Sequence, residues 1–303
     1  MVTGDAFGEH LGVVRELRSE EGRSWLRSLP AVVTALEAEW QAQTGSPYDR
    51  GTAAWTAPAT TAEGDSAVLK LSWPHREARY EADALRVWAG AGAVHVLRSD
   101  PSRWAMLLER CDPGVSLDEC DVPVHAAMEA AVGVIRQLWS APVPPGAPFE
   151  RLGDVTREWA GLVRERMARH RPAFDPGLVA LGASLLETLP EEGRTVLLHG
   201  DFNPGNILSS RRAPYLAIDA KPMIGDAAYD PWPFLDQIHD WTAPAQLRAR
   251  AQFFADLVDL PTDRLLAWGL ARSVESALWE VHEGRPGNAE EAMRSARMLA
   301  SLV

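Results

Sequence analysis

The spacing of apolar positions changes along the chain and predicts its elements. Trp25, Leu29, Val33, Leu36 and Trp40 recur at helical spacing, the pattern of a helix that buries one face. Pro30 fits the first position of a helix, so a second helix is expected to open there. From Gly45 onward the period shortens. The stretch 51–61 and the stretch 67–71 read as strands joined by the turn Ala62-Glu63-Gly64-Asp65. Pro58 lacks a backbone donor and predicts an edge or a bulge in the first of them. Lys70 points opposite to Leu69 and Leu71, which face a core. A helix follows, from Pro74 to Trp88, with Glu77, Glu81, Ala84 and Trp88 on one face.

Residues 93–97 and 104–108 are the next strand candidates, and the second runs into the turn-rich Glu109-Arg110-Cys111-Asp112-Pro113-Gly114. A strand that ends in a turn there suits a hinge between two lobes, with the backbone of Glu109, Arg110 and Cys111 able to pair with an adenine edge. Beyond the hinge the chain reads as helix over 124–139, 152–170, 178–189, 245–260, 263–283 and 289–303. Residues 141–148, rich in proline and alanine, form a stiff connector.

The helical C-terminal part is interrupted by Leu197-Leu198-His199-Gly200-Asp201-Phe202-Asn203-Pro204-Gly205-Asn206-Ile207-Leu208 and by Tyr215-Leu216-Ala217-Ile218-Asp219. If 207–210 and 215–218 form a hairpin in which 207 pairs with 218, Asn206 lies opposite Asp219 at its open end. Two hard oxygen ligands then converge beside Asp201. Such a set suits Mg²⁺, which takes one or two carboxylate-type ligands and leaves its other positions to water and phosphates. Lys70 and a glutamate of the following helix, Glu81 first and Glu77 one turn earlier, can pair so that the ammonium faces nucleotide phosphates. Backbone amides near Gly51 and Thr52 offer a cover for those phosphates, although a full glycine-rich loop is absent.

Composition narrows the partners. The chain has 303 residues, 46% hydrophobic and 24% charged, enough for a substantial core in an ordinary globular protein. A formal net charge of −12 and a pI near 5.2 argue against a nucleic acid or an anionic membrane as partner and fit a cationic small molecule. Cys111 and Cys120 supply neither a disulfide framework nor a metal motif, and no run has the length of a signal or membrane segment, so the cytoplasm is the expected compartment.

His199-Gly200-Asp201-Phe202-Asn203-Pro204-Gly205-Asn206 with Ile218-Asp219 resembles the aminoglycoside phosphotransferase family, relatives of the protein kinases. Further stretches resemble its streptomycin 6-kinase and hydroxyurea kinase branch: Glu20-Glu21-Gly22-Arg23-Ser24-Trp25-Leu26, Leu85-Arg86-Val87-Trp88, Leu107-Leu108-Glu109-Arg110 and Ile218-Asp219-Ala220-Lys221-Pro222. The resemblance implies an α+β, two-lobed protein-kinase-like fold: a small antiparallel β lobe with a key helix over 1–110, and a larger, mainly helical lobe over 111–303. It implies ATP-dependent phosphorylation of a small-molecule hydroxyl, with Asp201 as catalytic base, Asn206 and Asp219 as Mg²⁺ ligands, and Lys70 on the phosphates. Phe202 and Asn203 stand where relatives often carry Leu-His.

The expected acceptor is an aminocyclitol antibiotic of streptomycin type, held by acids drawn from Asp230, Asp236, Asp240, Glu275 and Glu280, with Trp232 or Trp279 as walls. Hydroxyurea or another metabolite is the alternative acceptor, and a silent nucleotide-binding regulatory module the alternative class. A protein kinase is disfavoured, since no Asp-Phe-Gly and no Ala-Pro-Glu segment occur. A monomer or weak homodimer is expected.

Overall fold

The computed structural model describes residues 4–238 and 243–303. The N-terminal part opens with α1 (Gly12–Glu16) and α2 (Glu20–Trp40), followed by β1 (Ala42–Thr44), β2 (Ala54–Thr61), β3 (Ser66–Ser72), α3 (Glu81–Trp88), β4 (Val96–Asp100) and β5 (Ala105–Glu109). The five strands form one antiparallel sheet in the order β1-β2-β3-β5-β4.

Pro30 does not open a second helix, because α2 runs unbroken through it. Ser19 caps the start by accepting from the Gly22 amide at 3.0 Å. Leu29, Val33, Leu36 and Trp40 are buried under the sheet. Pro30 is exposed, so the carbonyl it leaves without a partner can be hydrated and packing outweighs the lost bond. Pro58 lies within β2, opposite the end of β1, where its carbonyl accepts from Gly45 at 2.8 Å. β2 is therefore an inner strand and not the expected edge; the β1 ladder ends just before this point, so no donor is required of residue 58.

The helix expected from Pro74 is shorter. A single 3-10 turn covers Arg76–Ala78 and α3 starts at Glu81. Arg76 is drawn to Glu150 and Glu158, both at 2.7 Å, and Tyr80 packs edge-on against Phe149. These contacts with the following lobe override the local preference for continuous helix. Likewise β4 begins later than expected, because Ala93 bridges Ala217 and joins the large core with Val94.

The remainder comprises β6 (Pro113–Ser116), α4 (Val124–Ser140), β7 (Glu150–Arg151), α5 (Leu152–His170), α6 (Pro176–Thr188), β8 (Thr195–Leu198), β9 (Ile207–Ser210), β10 (Tyr215–Ala217), β11 (Met223–Asp226), α7 (Pro231–Gln237), α8 (Pro244–Val258), α9 (Thr262–His282) and α10 (Pro286–Ala300). Two small sheets, β10-β9-β6 and β7-β11-β8, lie among these helices. Strands β6, β7 and β11 are too short and irregular to show a period of two, and the sequence pattern does not reveal them. One core lies between α2 and the outer sheet face. The larger core joins the helical part to Ala84, Leu85 and Trp88 of α3. The key helix thus touches both halves and places its first residue, Glu81, at their junction.

Candidate active site

Lys70 sits on β3 between Leu69 and Leu71, whose side chains enter the core under α2. Its own side chain emerges on the other face, where Nζ donates to both Glu81 carboxylate oxygens at 2.7 Å and to Asp219 Oδ1 at 2.5 Å. Glu81, and not Glu77, is therefore the lysine's helix partner. Burial works against the Lys70 ammonium, but Asp219 and Glu81 outweigh it and raise its pKa. Reciprocally, the charge of Lys70 holds Asp219 down at about 2.

The loop after β8 is fixed from beneath. The buried Asp230 carboxylate accepts from the backbone amides of His199 at 2.9 Å and Gly200 at 2.8 Å, and from Trp139 Nε1 at 3.1 Å. His199 is fully buried, stacks on Trp88, and its Nε2 bonds the Ile218 carbonyl at 3.0 Å. Phe202 packs between His199 and Phe234. Asn203 accepts from the Asn206 amide at 3.2 Å and donates to Asp201 Oδ1 at 3.2 Å. The departure from Leu-His thus puts an aromatic ring in the core and an amide on the carboxylate. Gly200 has φ +81°, and a Cβ there would lie 1.9 Å from the Lys221 carbonyl oxygen, so only glycine permits the two loops to approach this closely.

The hairpin register differs from expectation by one residue. Ala217 pairs with Ile207 and Tyr215 with Ser209, and Asn206 accepts through its carbonyl from Ile218. A one-residue slip turns the following side chain to the opposite face. Asp219 compensates by adopting a left-handed conformation, φ +59°, which aims its carboxylate back toward Lys70. Asn206 Nδ2 donates to the Asp201 carbonyl at 3.0 Å, leaving its amide oxygen available to a cation. Among the described residues no group of three or more His, Cys, Asp or Glu is placed to hold a metal ion.

A cavity of about 850 Å³ lies where these elements meet. It is lined by Gly51, Thr52, Lys70, Glu77, Glu81, Glu109, Arg110, Cys111, Asp201, Asn206 and Asp219. The Glu109 side chain is already committed to Arg212, at 2.8 and 3.0 Å, and to the His95 amide at 3.0 Å, so only its backbone is open to a ligand. The sequence reading missed Lys221, whose ammonium lies 3.2 Å from Asp201 Oδ2 and 3.4 Å from Glu77 Oε2. Its position two residues after Asp219 is the signal that would have found it.

The expected acceptor contacts do not gather as a group. Asp230 is engaged by the three bonds above, and Trp232 is buried against Gly269. Glu280 ties α9 to α10 through Arg285 at 2.5 Å. Glu275 pairs with the buried Arg166 at 3.1 Å, and Arg166 also lies over the ring of the half-exposed Trp279 at 4.9 Å. Burial pushes the Glu275 pKa up, with Arg166 opposing it. Asp236 is exposed at the end of α7, and Asp240 lies outside the described residues. None of the described ones lines the 850 Å³ cavity.

A five-stranded antiparallel sheet set over a helical lobe, with the cavity at the junction, defines the protein-kinase-like class of fold. Solved structures agree. Choline kinase LicA from Streptococcus pneumoniae superposes with a TM-score of 0.66 at 13% identity, over 91% of this chain and 99% of that one. Aminoglycoside phosphotransferase APH(4)-Ia, as a thermostable mutant in ternary complex with ADP and hygromycin B, gives 0.63 at 17% identity, over 89% and 98%. In sequence, the chain is 33% identical over 270 residues to streptomycin 6-kinase of Streptomyces glaucescens, covering 88% of this chain and 87% of the relative. It is 31% identical over 308 residues to hydroxyurea phosphotransferase of Kitasatospora aureofaciens, covering 98% and 89%. The profile of aminoglycoside/hydroxyurea antibiotic resistance kinases matches residues 39–284. The chain belongs to that family.

Proposed function

We propose that the protein transfers the γ-phosphoryl group of ATP to a hydroxyl of a streptomycin-type aminocyclitol antibiotic, and so confers resistance to it. The observation that carries this reading is the convergence of Asp201, Asn206, Asp219 and the Lys70–Glu81 pair on one cavity, joined to the kinship with streptomycin 6-kinases. Asp201 orients the acceptor hydroxyl and takes its proton late, because a loose phosphoryl transition state calls for alignment more than for strong base catalysis. Lys70, held by Glu81, contacts the nucleotide phosphates. Amides near Gly51 and Thr52 cover them, and the backbone of Glu109 to Cys111 takes the adenine edge. The oxygens of Asn206 and Asp219 fit the hard-ligand preference of Mg²⁺, which when bound neutralises phosphate charge. In this reading residues 1–110 hold the nucleotide from above and residues 111–303 carry the base and the acceptor, in the cytoplasm; no helix among the described residues is long and apolar enough to cross a membrane.

Asp201→Asn tests the reading. Nucleotide affinity should stay within about threefold while turnover with streptomycin falls by roughly 10³ or more, the scale of losing an essential group. An Asp201→Asn enzyme with full turnover refutes the assignment of the base. Hydroxyurea is the second acceptor to be assayed, favoured by the relative that matches 98% of the chain. ATP consumption that responds to hydroxyurea and to no aminoglycoside would select it. A protein that binds ATP and phosphorylates neither would be a kinase of another metabolite, or a regulatory module if a wider panel of small hydroxyl compounds draws no ATP consumption.

A further inference from the structure

Two ammonium groups face the cavity from different halves of the molecule. Lys70 belongs to the sheet and bonds Asp219. Lys221 belongs to the helical half and bonds Asp201. Its backbone is locked to the catalytic loop: the Lys221 amide donates to the His199 carbonyl at 2.7 Å, and the Lys221 carbonyl rests against Gly200. Lys221 and Asp201 therefore share one frame whatever the sheet above them does. The side chain is 37% exposed, neither a buried brace nor a free surface charge, and its second partner Glu77 also lines the cavity.

We infer that Lys221 is a catalytic cation that contacts the transferring phosphoryl group; the inference rests on the kinase reading above. A hydroxyl held on Asp201 approaches phosphorus at about 3–3.5 Å before attack. An ammonium 3.2 Å from that same carboxylate is then within reach of an equatorial phosphoryl oxygen, where charge accumulates during transfer. Lys70 and Mg²⁺ act from the nucleotide side, whereas Lys221 stands beside Asp201 itself and offsets the repulsion between that carboxylate and the incoming phosphoryl group. In the step, the bond from the acceptor oxygen to phosphorus forms and the bond from phosphorus to the bridging oxygen breaks. ADP leaves with that electron pair, the acceptor proton passes to Asp201, and Lys221 keeps all its protons. Glu77 neutralises Lys221 when no phosphoryl group is present and is exchanged for it when one arrives.

The test compares Lys221→Met, Lys221→Arg and Glu77→Gln by calorimetric titration with Mg²⁺-ADP and with the non-hydrolysable Mg²⁺-AMP-PNP, alongside turnover and thermal melting. Lys221→Met should hold ADP within about twofold, bind AMP-PNP about tenfold more weakly, and lose about 10²–10³ in kcat, the scale of removing one charge-stabilising donor. Lys221→Arg should recover at least about tenfold of that loss, since it restores the charge. Glu77→Gln, which keeps Lys221 intact, should tighten AMP-PNP a few-fold and leave ADP unchanged. Equal effects on ADP and AMP-PNP in both the Met and the Gln variants, or kcat within threefold of wild type in Lys221→Met, would overturn the role. Wild-type protein that binds neither nucleotide would instead overturn the kinase reading itself.

Discussion

Replacing Gly200 by alanine tests whether the close approach of the two loops is what sets the catalytic geometry. The added Cβ would lie 1.9 Å from the Lys221 carbonyl oxygen, about 1.1 Å inside the 3.0 Å limit that real Cβ contacts respect. The loops must separate by that amount, and the 2.7 Å bond from the Lys221 amide to the His199 carbonyl lies across the opening. Losing a buried bond of this kind costs about 1–3 kcal/mol, and a left-handed backbone costs alanine about 1–2 kcal/mol more than glycine. Together these give roughly 2–5 kcal/mol. An unfolding entropy of about 2.1 cal/mol/K per residue over the chain converts this to a fall in Tm of roughly 3–8 °C. Activity should suffer more than stability suggests, because displacing Asp201 from Lys221 by about 1 Å is worth about 10²-fold in rate. Differential scanning calorimetry and steady-state ATP turnover measure the two effects. A Gly200→Ala protein within 1 kcal/mol of wild type and with unchanged kcat would show that the loops yield freely, and the argument for a rigid Asp201–Lys221 frame would fail.

Two further expectations concern what lies beneath the site. Asp230→Asn leaves one accepting oxygen for three donors and turns an amide N–H toward them; urea denaturation should show a loss of about 2–4 kcal/mol, and a loss under 1 kcal/mol would contradict the bracing role. Burial lowers the His199 pKa from its ordinary 6.5, against the pull of Asp230 and Asp201. The unfolded chain thus binds a proton first as the pH falls through about 6.5. Stability is complete above that pH and declines below it, by at most about 1.4 kcal/mol per pH unit, until the folded value is passed. Denaturation curves between pH 7.5 and 5.5 should show this slope, and an identical slope in His199→Asn would assign it to other groups.

The group of residues that meets at the cavity was legible because it is written locally. Asp201, Asn206 and Asp219 fall within 19 residues of one another, and Lys70 announces itself as a charge between two core leucines. The long helices were equally plain, since a buried stripe leaves a period of 3.6 residues. Pro30 and Pro74 misled for the same reason: each marks a permissible helix start, but whether a helix starts there depends on what packs against it. Leu29 and Val33 kept one helix whole, while Arg76 and Tyr80 were pulled into contacts with Glu150 and Phe149.

Sequence alone determined the residue types of the proposed phosphoryl-transfer centre, their order along the chain, and the division between a sheet and a helical part. These follow from period and composition, which need only near neighbours. The tertiary structure decided the hairpin register, and with it the left-handed turn that aims Asp219. It decided that Glu81 takes Lys70 while Glu77 takes Lys221, that Asp230 is bonded beneath the loop after β8, and that Trp232 is buried. A charged side chain is free for a ligand only if no other group has claimed it. For Asp230 the claimants are Trp139, His199 and Gly200; for Glu275 the claimant is Arg166. Trp139 and Arg166 lie 91 and 109 residues away, a separation no local pattern spans.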